Sequence, residues 1–209
     1  NVSELIFVMP ELFLLAAISC ILLFDLYVKE ELKKFTYHLS QLALLITGLL
    51  AFNLIGESAT IFSGTFVLDT LGSTFKVFIA GFSIIALVYS RHYLSVHGLL
   101  RNEYFILALM SILGMLVMVS GHSLLTLYLG LEIMSLSLYA LIATARDRAF
   151  AIEAALKYFV LGAIASGLLL YGMSMIYGIT GNLDIAQIAS FASLATLEPQ
   201  ETLILNFGL

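Results

Sequence analysis

Apolar residues run through this chain in blocks of about twenty, the length that crosses the hydrocarbon core of a bilayer as a helix. Each block is closed by charged residues, glycine or asparagine. The blocks predict six complete transmembrane helices, at about Leu5–Tyr27, Leu39–Ile55, Leu71–Tyr89, Tyr104–Val119, Ser123–Ala143 and Phe150–Tyr177. Pro10 falls early in the first, where an opening turn or a mild kink tolerates the missing N–H. Between Thr60 and Leu68 the helical stripe is lost. Phe62, Gly64, Phe66 and Leu68 alternate there with Ser63, Thr65 and Val67, which predicts a short extended or hairpin element.

Gly178 and Gly181-Asn182 end the sixth helix. Beyond them Asp184, Gln187, Ser190, Ser193 and Thr196 recur every third position, with Ile185, Ile188 and Leu194 between. That spacing keeps the polar groups on one stripe and predicts an amphipathic helix lying on the membrane surface. Glu198-Pro199 then opens a seventh helix. With no initiator methionine and a last apolar run that stops at Leu209, the chain is read as an N-terminal fragment of a longer protein.

Composition agrees with the pattern. The 209 residues are 61% hydrophobic and 11% charged, against about 25% charged in a soluble domain, and mean hydropathy is +1.07. There are 10 Tyr, 15 Phe and no Trp, so tyrosine must fill most of the interfacial aromatic belt. The net charge of −5 resembles no basic nucleic-acid surface. The single cysteine, Cys20, can form no internal disulfide and has no neighbours at metal-site spacing. A cleaved leader is not indicated: the first 27 residues carry Glu4 and Glu11, lack a basic start, and form too long an apolar run.

The basic residues orient the helices. Lys29, Lys33 and Lys34 occupy the first loop, Arg91 and Arg101 the third, Arg146 and Arg148 the fifth; the even loops hold none. By the positive-inside rule the odd loops face the cytoplasm or matrix and the N-terminus the opposite side.

Charges at membrane depth are costly, by about 2.5–3.5 kcal/mol even on insertion scales, and call for an explanation. Glu132 lies near the middle of the fifth helix, about 13 Å below its outer end at 1.5 Å per residue. It is either a structural glutamate, protonated or hydrogen-bonded, or a proton carrier; Ser135, at i+3, is within reach of it. Lys157 follows Glu153 at i+4, the favourable order for a helical ion pair. A helix starting near Ala154 leaves this lysine snorkelling at the interface. One starting near Phe150 puts it about 10 Å deep, where it must share a polar cavity. Asp25, Glu11, Asp69 and Lys76, near helix ends, read as interfacial anchors. His38, His92, His97 and His122 all fall at predicted loop positions, which argues against a haem held between helices. Gly162 with Ser166, and Ala163 with Gly167, are small-residue pairs suited to close helix packing.

Three stretches carry a resemblance: Gly130-Leu-Glu-Ile-Met-Ser-Leu-Ser-Leu-Tyr139, Glu153-Ala-Ala-Leu-Lys-Tyr-Phe-Val-Leu-Gly-Ala163, and Leu170-Tyr-Gly-Met173 with Ile176-Tyr-Gly178. The chain resembles the subunit N family of bacterial NADH–quinone oxidoreductase, respiratory complex I, whose mitochondrial counterpart is NADH dehydrogenase subunit 2. The resemblance covers essentially the whole chain, including Val67-Leu-Asp69, and is strongest from Met118 to Gly178.

It implies an all-α membrane protein, a polytopic helical bundle of the antiporter-like, proton-conducting type. Residues 1–209 would be one transmembrane domain. Within it, 1–103 would hold helices one to three, and 104–209 an incomplete first antiporter-like repeat. It also implies that Glu132 and Lys157 translocate protons, coupled to quinone reduction elsewhere in the complex. No cofactor or metal is expected in this chain; NADH, FMN, iron–sulfur clusters and quinone would be bound by other subunits. The implied partners are the other membrane subunits, lipid and protons, with no nucleic acid. The implied setting is the bacterial inner membrane, N-terminus periplasmic. Two competing readings are a subunit of a multi-subunit cation/proton antiporter, and a structural membrane spacer whose charges are paired and silent.

Overall fold

The structure, a computed structural model, describes residues 2–27, 35–194 and 199–208. The first loop's lysines, and Thr196 and Glu198, lie outside the described residues. Short helical turns, Val2–Leu5 and the 3-10 turn Ile6–Val8, lead into α1 (Met9–Tyr27). There follow α2 (Phe35–Asn53), a two-stranded antiparallel hairpin of β1 (Ala59–Ile61) and β2 (Phe66–Leu68), and α3 (Thr70–Val96). The chain continues through α4 (Asn102–Ser120), α5 (Leu124–Ile142), α6 (Ala149–Thr180), α7 (Ile185–Leu194) and α8 (Pro199–Gly208). Among the described residues, six helices are long and apolar enough to cross a membrane, α1 counted from Ile6.

The six predicted spans and the hairpin are all present, with two differences in extent. α3 runs to Val96, so Arg91 to Val96, predicted as loop, are its last turns. At 1.5 Å per residue its 27 residues reach about 40 Å, longer than a hydrocarbon core of about 30 Å. The charged end therefore projects beyond the apolar zone without ending the helix. α6 likewise runs past Gly178 and stops at Gly181, whose φ of 64° places it in the left-handed conformation that glycine adopts freely. His38 and His92, predicted in loops, are helical and exposed, in the first turn of α2 and near the end of α3.

α4 is the central helix. Its Phe105, Leu109, Ile112, Leu113 and Leu116 are buried together with Leu14, Ile18 and Ile21 of α1 and Ala43 and Leu44 of α2. Between α4 and α5 the backbones nearly touch. A Cβ on Gly114 would fall 2.6 Å from the Gly130 carbonyl oxygen, and one on Gly130 would fall 2.9 Å from the Gly114 carbonyl. In lipid, where apolar surface gains little by leaving the solvent, such close packing holds helices together. Two buried hydroxyls of α2 are satisfied along their own helix, Ser40 donating to the Thr36 carbonyl and Thr47 to that of Ala43, each at 2.8 Å.

The loops gather at two ends. At one, the hairpin meets the later turns: the His122 N–H donates to the Thr65 carbonyl at 3.0 Å, and the Leu124 N–H to that of Leu183 at 2.9 Å. At the other, Arg146 pairs with Glu103 at 2.7 Å, Arg101 with Asp147, and Arg148 donates to the His97 carbonyl at 3.1 Å. Asp25 there accepts from Thr36 and Asn102, each at 2.8 Å, so it ties α1, α2 and α4 together and is more than an interfacial anchor. The described arginines of the odd loops thus share one end of the bundle, as their distribution in the sequence predicts.

Candidate functional site: charges on the membrane-spanning helices

Glu132 stands two residues beyond Gly130, eight from the start of α5, about 12 Å along the helix. It is half-buried. Its carboxylate accepts a hydrogen bond from Ser166 of α6, on the next helix rather than one turn on along its own. The contact follows from packing. Gly162, one turn before Ser166, has no side chain, and any Cβ there would overlap the Tyr139 ring of α5. The Gly162–Ser166 pair is therefore the α5-facing stripe of α6, while Gly167 of the second predicted pair faces open space.

Lys157 is eight residues into α6, about 12 Å from the helix start. The helix thus begins where the deep reading of this lysine requires. Yet among the described residues no polar cavity surrounds it. Its side chain is 70% exposed and its ammonium pairs with Glu153 at 2.6 Å on the outward face of α6. The hollow between α5 and α6 at this level, about 380 Å³, is walled by apolar residues such as Leu136, Ala140, Ile152 and Phe159. Ser166, which marks the level of Glu132, lies nine residues from Lys157, about 13 Å along the axis. Depths of about 13 Å from one face and about 10 Å from the other, as read from the sequence, leave an offset of roughly 7 Å in a core of about 30 Å. The two charges are not in contact.

A second pair was missed. Glu11 and Lys76, read from the sequence as interfacial anchors, are both buried, with Lys76 Nζ 2.5 Å from Glu11 Oε1 and side chains 0% and 5% exposed. The ring of Phe66 in β2 covers the ammonium, its centroid 5.1 Å away. Asp69, by contrast, is the expected kind of anchor, its carboxylate capping α3 by accepting from the Gly72 N–H at 2.6 Å. The signal that finds the pair is depth. Glu11 is five residues into the first span and Lys76 six into the third, so opposite charges stand about 8–9 Å from the same end of two helices running in the same direction. Among the described residues, no cluster of histidine, cysteine or carboxylate side chains could hold a metal ion.

Residues 121–209 match the family model described as NADH:quinone oxidoreductase/Mrp antiporter, TM. The whole chain is 66% identical to NADH-quinone oxidoreductase subunit N of Ruthia magnifica subsp. Calyptogena magnifica, spanning 43% of that protein. Across 88% of its length it is 50% identical to the subunit N of Alkalilimnicola ehrlichii, spanning 38% of it. The chain belongs to the NADH-quinone oxidoreductase subunit N family. It covers less than half the length of these relatives. Its fold is that of a chain in respiratory complex I from Thermus thermophilus with bound aureothin, with TM-score 0.72 and 26% identity over 96% of this chain and 43% of that one. A chain of the Mrp complex from Dietzia sp. shares the fold at TM-score 0.73 and 18% identity, over 96% of this chain and 40% of that one. As a member of the subunit N family the chain is an antiporter-like, multi-pass helical membrane protein.

Proposed function

We propose that this chain is part of a proton-translocating membrane subunit of an NADH:quinone oxidoreductase, with Glu132 and Lys157 as its proton-handling groups. The observation that carries the reading is the 66% identity over the whole chain to a subunit N. Residues 1–103 then form helices one to three and 104–209 part of the first antiporter-like repeat. The redox chemistry, with its NADH, flavin, iron–sulfur clusters and quinone, belongs to other subunits. The membrane is the bacterial inner membrane. The odd loops face the cytoplasm and the N-terminus the periplasm, by the basic asymmetry of the loops.

The geometry supports a definite division of labour. Glu132, inside the bundle with a hydroxyl donor on its carboxylate, is placed to hold or release a proton. Lys157 is a switchable charge. It stands about 13 Å along the helix axis from the level of Glu132 and pairs with Glu153 at 2.6 Å. Parting Glu153 from Lys157 frees the ammonium to meet the remainder of the subunit. The outward face of α6, with Lys157 on it, is then where the remainder of the subunit packs and supplies a polar path. The cation/proton antiporter reading shares the fold but not the closeness of the subunit N relatives.

The test is NADH-driven proton uptake by membranes carrying the intact complex, at matched abundance, for the parent and for Glu132→Gln. The variant should oxidise NADH but pump poorly. Normal pumping by it ends the reading.

A further inference from the structure

We propose that Glu11 and Lys76 form a second proton-holding site in the membrane, under the hairpin and separate from Glu132. Both side chains are buried, and their charged atoms are 2.5 Å apart. Among the described residues, Glu11 Oε2 has no hydrogen-bond partner and Lys76 Nζ meets none in hydrogen-bonding geometry. A buried ion pair left short of hydrogen bonds gains little stability over an apolar pair of the same size. Packing alone therefore does not account for it, and unsatisfied buried groups mark a place for water or for chemistry. The 3-10 turn Ile6–Val8 opens the span just before Glu11, and Pro10 removes a backbone N–H beside it. Paired charges within spanning helices are how membrane proteins build proton relays.

The surroundings give the pair an exit. Phe66 roofs the ammonium, and Phe66 belongs to the hairpin, which packs on Val8 at the start of the first span. Glu4 and Asp69 each precede a member of the pair by seven residues, Asp69 as the N-cap of α3, toward the hairpin end. His122 stands at the same end, its N–H bonded to the Thr65 carbonyl.

The step is a proton transfer along the short contact. The Nζ–H bond of Lys76 breaks and an O–H bond forms on Glu11, leaving a neutral amine and a neutral acid. The amine then takes a proton from the bundle side, and the acid gives its own toward Glu4 and Asp69. One proton has moved and both groups are restored. On the orientation proposed above, this is the release side.

This inference rests on the proton-translocating reading, and the experiment separates the two. In the intact complex, the double variant Glu11→Met with Lys76→Met removes both charges and should assemble normally. It should pump about two-fold or more less per NADH oxidised. Infrared difference spectra between acid and alkaline buffer should show a carboxylic acid carbonyl band in the parent that is lost in Glu11→Gln, a change that a static tie between helices would not produce. Parent-level pumping in the double variant, beside poor pumping in Glu132→Gln, overturns this site alone. Absence of a Glu11-dependent band overturns it whether or not the double variant assembles.

Discussion

The Ser166 hydroxyl of α6 donates to the Glu132 carboxylate of α5, so the carboxylate in the middle of one spanning helix is held by the next helix along the chain. A hydrogen bond to a charged group contributes about 1.5–3 kcal/mol, and this one fixes where the carboxylate stands. Ser166→Ala should therefore leave Glu132 less well positioned and lower pumping, by less than Glu132→Gln does, since the acid itself remains. Proton uptake against NADH oxidation for the two variants checks the order. Pumping in Ser166→Ala as poor as in Glu132→Gln would mean that the serine has a role of its own.

The crossing of α4 and α5 sets where Glu132 can be. Adding a methyl group at Gly114 or Gly130 brings it to within 3 Å of backbone atoms of the other helix, which cannot yield as a side-chain end can. Gly130→Ala should destabilise the bundle by about 1–3 kcal/mol, the cost of overpacking. Gly167→Ala, at a position open for at least 4 Å, should be close to neutral. Thermal unfolding of the two variants in detergent should separate them clearly, and equal melting points would contradict the crossing.

Topology gives a third expectation. Ser58 and Ser95 are both exposed, one beside the hairpin and the other near the end of α3. In a Cys20→Ala background, Ser58→Cys and Ser95→Cys should react with a membrane-impermeant thiol reagent from opposite faces. Labelling from one face would sink the six-span arrangement.

Hydropathy made the spans legible because a lipid-crossing helix must be apolar over its whole length, whatever it packs against. It located the edge of the apolar zone near Tyr89 but not the end of α3, since a helix continues into water at little cost. The hairpin was visible in the alternation around Phe66. Glu132 was legible as a site because nothing in its own helix accounts for a charge there. Its partner was not, because Ser135 and Ser166 are both plausible donors until the Gly162 contact fixes the face of α6. Glu11 and Lys76 were misread for a related reason. A charge near a helix end looks like an anchor, and only the meeting of Glu11 with Lys76 beneath Phe66 shows that both have been withdrawn from solvent.

Lys157 and Glu132 together provide the sharpest test of the proposed function. Their levels differ by about 13 Å and they share no partner among the described residues: one is bonded to Ser166, the other to Glu153. Sites this far apart contribute additively to stability. Lys157→Met breaks an exposed i,i+4 pair worth about 0.3–0.5 kcal/mol, so its melting point should stay near that of the parent. The double variant Glu132→Gln with Lys157→Met should show a stability loss equal to the sum of the single losses. Pumping should behave otherwise. Two steps on one route fail together, so the double variant should pump little worse than the more severe single one. Calorimetry and proton uptake on the same four preparations decide between the accounts. Near-normal pumping in Lys157→Met would reduce this lysine to a surface anchor paired with Glu153. Pumping losses that multiply would place the two charges on separate routes.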